Sequence, residues 1–258
     1  MDPLPQPTRA RGMYLLPNLF TTAGLFSGFY AIIAASNGEF VSAAIAVFVA
    51  ALMDGVDGRV ARLTGTSSEF GVQYDSLADL VSFGMAPALV MYHWSLSALK
   101  LDGEIIGRVG WAVAFLYAAC AALRLARFNT QVGTVDKRWF VGLASPAAAG
   151  LMMSFVWAFA DGKLEWTGEQ LRYVALGVTI VAALLMVSRI RFWSFKGSGK
   201  GGAKADRIPF LLVVLVPVVI AVLVIDLPRT LCAIGVLYAL SGPVMWALQR
   251  RGRREPAA

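Results

Sequence analysis

Apolar residues fall into eight runs, near 14 to 36, 41 to 63, 77 to 99, 105 to 126, 139 to 160, 170 to 190, 208 to 226 and 230 to 249. Each approaches the roughly 20 residues that an α-helix needs to cross about 30 Å of hydrocarbon. The pattern predicts an all-α integral membrane protein of about eight transmembrane helices. The first run follows an acidic, proline-rich start, is too long for the apolar stretch of a signal peptide and contains Thr21, Thr22 and several glycines, so it is expected to stay in the protein.

Composition agrees with a lipid solvent. Of 258 residues, 58% are hydrophobic and only 15% charged, against about 25% charged in a soluble domain. Disordered and collagen-like chains are excluded on the same grounds. Cys120 and Cys232 both lie inside apolar runs and read as small core residues, which leaves no disulfide framework and no thiolate metal site.

The charge that remains is asymmetric. Of 23 Lys and Arg, only Lys100, Arg108, Lys163, Arg172 and Arg229 fall on one side of the eight runs, and the other eighteen fall on the opposite side. Basic residues collect on the cytoplasmic side, so both termini are expected there. The implied organisation is a cytoplasmic segment over 1–13, a single transmembrane domain over 14–249 and a basic tail over 250–258. Residues 191–207 within that domain form a basic cytoplasmic loop. Its Lys196-Gly-Ser-Gly-Lys200 stretch lacks the glycine spacing of a phosphate-binding loop. The basic tail reads as a headgroup anchor, and no nucleic-acid partner is expected.

Four aspartates, Asp54, Asp57, Asp75 and Asp79, stand where a membrane protein should least tolerate them. A carboxylate near the bilayer centre costs on the order of 2.5 to 3.5 kcal/mol, and such residues mark functional sites by default. Placement in a wet interhelical loop would also accommodate them, but their spacing argues otherwise. On a helix Asp54, Asp57, Gly58 and Ala61 form one stripe of two acids and two small residues, and Asp75 and Asp79 share a face of the next helix. If the two helices pack antiparallel, four carboxylates converge and repel in a low dielectric unless a cation joins them. Oxygen-only donors favour Mg²⁺ or Mn²⁺, and two such ions can share carboxylates. Arg62 offers a fork of donors to a diphosphate, and Gly58 allows close approach of phosphate oxygens to the backbone.

The pattern Asp54-Gly-Val-Asp57-Gly58-Arg-Val-Ala61-Arg62, eight residues, Gly71, three residues, Asp75, three residues, Asp79 resembles the signature of the CDP-alcohol phosphotransferase family at every fixed position. That family usually has a six-helix core, and two extra C-terminal helices fit its bacterial phosphatidylserine synthase branch. Leu16-Pro17-Asn18-Leu-Phe-Thr21, the run from Tyr74 to Gly84, and Leu123-Arg124-Leu-Ala-Arg127-Phe-Asn129 followed by Gly142-Leu-Ala-Ser145-Pro146 also look like that branch.

The resemblance implies that Asp54, Asp57, Asp75 and Asp79 hold divalent metal, with Asp79 also the general base. It further implies that Gly58, Ala61, Arg62 and Ser68 contact the CDP part of CDP-diacylglycerol, and that Asn18 and Thr21 line the cytidine pocket. Asn18 after Pro17 reads equally as a helix cap. The acceptor implied is L-serine, and the setting a homodimer in a bacterial inner membrane with the active site on the cytoplasmic side. Arg124 and Arg127, spaced i, i+3, suit a serine carboxylate, an acceptor phosphate or simple cytoplasmic anchoring.

Two other readings remain open at this point. The same family machinery serves phosphorylated acceptors such as glycerol 3-phosphate or inositol phosphate. A divalent cation transporter would explain the acids and the helices, but not why Gly58, Ala61 and Arg62 accompany them.

Overall fold

The computed structural model describes residues 15–65, 68–130, 139–193 and 226–252. Helix α1 (Leu15–Ser36) turns into α2 (Phe40–Thr64) through three residues. The turn is a Schellman cap. Gly38 takes φ +83°, its N–H bonds to the Ala35 carbonyl, and the Glu39 N–H reaches the Ala34 carbonyl at 2.9 Å. The two helices then meet along buried Ala31, Ala34, Ala35, Ala43, Ala44, Ala46 and Ala50. Small residues let the backbones approach where lipid provides no hydrophobic drive between helices. At Gly24 an added Cβ would lie 3.6 Å from the Ala50 carbonyl.

Helix α3 (Glu69–Asp79) opens on Ser68, whose hydroxyl accepts from the Gly71 N–H at 3.0 Å. It passes through a π-helical turn, Leu80–Met85, into α4 (Ala86–Trp94) with right-handed helical backbone at both junctions. The start differs from the sequence expectation of a span near 77 to 99. The turn from Glu69 to Asp75 is too polar to register as apolar, yet the Ser68 cap carries the helix back through it. Residues Leu96–Asp102 form a tight 3₁₀ segment folded against α5 (Glu104–Thr130). At Gly110 an added Cβ would come within 2.4 Å of the Leu96 carbonyl.

The next apolar stretch was expected to be helical from 139. Instead Trp139–Val141 forms strand β1, paired antiparallel with β2 (Arg191–Trp193) in the register Trp139↔Trp193. Gly142 then takes φ +83°, and α6 (Ser145–Ala160) starts with Pro146 in its first turn. Helix α7 (Arg172–Val187) returns to the ribbon. The last helix, α8 (Leu227–Gly252), packs on α6, where Gly235 sits 3.2 Å from Leu151 Cα, measured from an added Cβ. The expected span over 208 to 226 lies outside the described residues.

The interior is filled by Tyr117, Phe83, Met91, Met152, Met153 and Met186 with a matrix of alanines. Phe26, Ile105, Phe115 and Leu237 point outward, as lipid-facing residues do. Among the described residues, Asn18–Ser36, Phe40–Val60, Glu104–Thr130 and Leu227–Ala247 are long and apolar enough to cross a membrane, and Ser145–Ala160 and Arg172–Val187 are shorter apolar helices. The protein is a multi-pass membrane protein built of helices, with the short β1–β2 ribbon its one departure among the described residues.

Candidate active site

The acids of α2 and α3 meet. Asp54 and Asp57 lie one turn apart on α2, and the i, i+3 spacing turns both toward Asp75 of α3. One oxygen each from Asp54, Asp57 and Asp75 lie within 4.8 Å of one another. Asp57 is buried at 5% exposure, whereas Asp54 and Asp75 are half-buried. Asp79 stands outside that set of three oxygens but within electrostatic reach of all three carboxylates and of Arg124. A cleft runs from Asp54, Asp57, Asp75 and Asp79 down to Gly24, Ala50, Ala78, Ser82 and Phe83. Three carboxylates at this distance form a hard, oxygen-only donor set able to hold a divalent ion such as Mg²⁺ or Mn²⁺.

Thr21 reaches the acids themselves. Its side chain is buried at 6% exposure and its hydroxyl donates to Asp57 Oδ2 at 2.8 Å. It therefore orients a carboxylate of the cluster from the neighbouring helix. Asn18 lies one turn nearer the start of α1, with its Oδ1 3.5 Å from where a Cβ on Gly71 would stand. Asn18, Ser68 and Gly71 thus meet where α1 and α3 begin. Within them, the Ser68 hydroxyl is engaged as the cap of α3.

Gly58 is exposed, and a Cβ added there would meet nothing within 4 Å. The backbone is accordingly open to a ligand beside the acids. Ala61 and Arg62 belong to the last turns of α2, but their side chains lie outside the described residues.

Arg124 and Arg127 of α5 diverge. Arg124 Nη1 donates to Ser145 Oγ at 2.9 Å, on the first residue of α6, while its Nε is buried with no hydrogen-bond partner among the described residues. Arg127 Nη1 reaches the Val187 carbonyl at the end of α7 at 3.4 Å. Of the pair, Arg124 is the one placed near Asp79.

Several polar contacts around the cleft were not foreseen. Thr22 Oγ1 and Tyr74 Oη are 2.9 Å apart, and Asn129 Nδ2 donates to Ser76 Oγ at 2.9 Å, linking α5 to α3. Tyr74, Ser76 and Asn129 stand inside the stretches that carry the family resemblance, which was the one available signal. Pairings between residues more than 50 positions apart leave no local trace in a sequence.

A family model described as CDP-alcohol phosphatidyltransferase matches residues 14–187. The chain is 42% identical over 184 residues to a Helicobacter pylori protein named CDP-diacylglycerol--serine O-phosphatidyltransferase, a match covering 71% of this chain and 74% of that one. A Mycobacterium leprae protein of the same name is 39% identical over 196 residues, covering 74% and 62% of the two chains. A Methanothermobacter thermautotrophicus protein named archaetidylserine synthase is 33% identical over 190 residues, 73% of each chain.

Proposed function

Because the chain belongs to the CDP-alcohol phosphatidyltransferase family, we propose that it transfers the phosphatidyl group of CDP-diacylglycerol to the hydroxyl of L-serine, giving phosphatidylserine and CMP. The observation that carries the reading is the meeting of Asp54, Asp57 and Asp75 from two helices within 4.8 Å. The names of the relatives point to serine as acceptor.

Asp54, Asp57 and Asp75 would hold divalent metal, one ion or a pair, and Asp79 contributes to the same acidic site. The metal supplies charge neutralisation at the diphosphate and at the departing CMP. Gly58, Ala61 and Arg62 receive the diphosphate and ribose, with Ser68, Asn18 and Thr21 bordering the nucleotide. Asp79 takes the proton of the serine hydroxyl as that oxygen bonds to the lipid-linked phosphorus and the bond from phosphorus to the CMP oxygen breaks. A positioned general base contributes about 10²- to 10⁴-fold. Arg124, held by Ser145, receives the serine carboxylate, with Arg127 behind it. Positioning and electrostatics supply most of the acceleration of phosphoryl transfer.

The site lies in the C-terminal halves of α2 and α3, on the side whose basic connections the positive-inside rule assigns to the cytoplasm. With the spans near 77 to 99 and 208 to 226 included, eight crossings place both termini on that side. We take 14–249 as one catalytic domain of a bacterial inner-membrane enzyme that works as a homodimer.

The test is CMP release by detergent-purified protein with CDP-diacylglycerol and Mn²⁺ or Mg²⁺, offering L-serine, glycerol 3-phosphate or inositol phosphate. Serine-dependent release, with labelled serine entering lipid and loss on chelation, is the expected result. Release with a phosphorylated acceptor alone would overturn serine, and no release with any acceptor would favour a cation transporter.

A further inference from the structure

The helix that carries Asp75 and Asp79 changes winding immediately after Asp79. Residues Leu80–Met85 form a π turn, with the Ala86 N–H bonded five residues back to the Val81 carbonyl. The cause is in the sequence. Pro87 has no N–H and its ring collides with the carbonyl four residues earlier, that of Phe83. Widening the turn relieves the collision, and the Phe83 carbonyl loses its ordinary α-helical donor. Tyr117 of α5, fully buried, supplies another, its hydroxyl donating to the Phe83 oxygen at 3.1 Å. On the opposite flank Ser82 Oγ donates to the Gly24 carbonyl at 3.2 Å.

An α-helix rotates by about 100° per residue, and a π turn accommodates one extra residue in its winding. The face bearing Asp75 and Asp79 is therefore swung by about that angle relative to the face with which α4 buries Ala86, Val90, Met91 and Trp94. With that swing, α4 keeps its face in the core while the acids turn toward α2.

We infer that Tyr117 is a positioning residue of the transfer reaction: its hydroxyl, acting with Pro87, holds the π turn that aims Asp79 at the carboxylates of α2. The inference rests on Asp79 serving as the base in the reaction proposed above. Tyr117 itself touches no reacting atom; it acts through the backbone of Phe83.

Three variants test this in the full-length protein by kcat, KM for CDP-diacylglycerol and thermal unfolding. Tyr117→Phe keeps the ring and removes only the donor, and is expected to lower kcat by about ten- to a hundredfold with KM little changed. Pro87→Ala restores an α-helical donor for Phe83, and is expected to fold at least as stably as the parent while losing kcat. In Tyr117→Phe/Pro87→Ala the unfolding temperature should return to the parent value and kcat should not. A purely structural Tyr117 would instead recover kcat and stability together, and parent kcat in Tyr117→Phe or in Pro87→Ala would overturn the inference. Asp79→Asn run in parallel separates the two claims: full turnover there removes Asp79 as base, whatever Tyr117 does.

Discussion

Thr21 of α1 donates a hydrogen bond to Asp57 of α2 at 2.8 Å, and both side chains are buried. The hydrogen bond fixes the orientation of a carboxylate that has an oxygen within 4.8 Å of oxygens of Asp54 and Asp75. The alanine-lined packing of α1 on α2 sets the distance from Thr21 to Asp57, so the seam between two lipid-embedded helices determines how a carboxylate of the site points.

Thr21→Val keeps the shape and removes the donor. Partners that orient a metal ligand are worth about 10- to 100-fold in metal affinity, and a loss in that range is expected for Mn²⁺ by calorimetric titration, with Thr21→Ser close to the parent. Equal affinity in Thr21→Val would show that Asp57 needs no orientation from α1.

Asp79→Asn should retain CDP-diacylglycerol binding and the unfolding temperature while CMP release falls by about 10² or more. Binding by a fluorescent CDP-lipid and release of CMP are read on the same preparation. Turnover at the parent rate would take Asp79 out of the mechanism.

Gly28 faces Ser82 so closely that an added Cβ would lie 2.5 Å from its Oγ and 2.7 Å from its Cα. Gly28→Ala must push backbone apart, and overpacking of this kind costs about 1 to 3 kcal/mol. A lower unfolding temperature with reduced CMP release is expected, because the residue displaced follows Asp79 by less than one turn. Unchanged stability would mean that α1 shifts freely against the π turn.

At the opposite end of the bundle Arg172 donates to both oxygens of Asp102, at 2.5 and 2.8 Å. This pairing holds the Asp102 carboxyl below its ordinary value. A depressed carboxylate pKa contributes stability above the unfolded value of about 3.9, and that contribution is lost as pH falls through the folded value. Asp102→Asn should therefore lower the unfolding temperature near pH 7 and converge with the parent in acid. A difference that is constant with pH would assign the effect to packing.

Much of this was legible in the sequence because it depends on local periodicity. The bounds of α1 and α2 follow hydropathy to within a residue or two, and the i, i+3 and i, i+4 spacings put the acids on faces that do meet. What escaped depends on contacts that periodicity does not encode. Hydropathy cannot register a collision between Pro87 and the Phe83 carbonyl, so the π turn was invisible. The three-residue strands pair across some 50 positions and read as helix start and loop. Spacing gives no sign of the hydrogen bond from Thr21 to Asp57, which depends on the closeness of α1 to α2. Arg124 and Arg127 share a helical face by spacing, yet Ser145 and Val187 draw them apart.

The four acids, Thr21 and the π turn all precede residue 95. A chain leaving the ribosome N-terminus first therefore carries the complete set of carboxylates in its opening hairpins, before the helix bearing Tyr117 and Arg124 has been made. Until α5 arrives, the Phe83 carbonyl behind Asp79 has no Tyr117 hydroxyl to accept from, so the order of synthesis brings out the acids before the residues of α5 that face them.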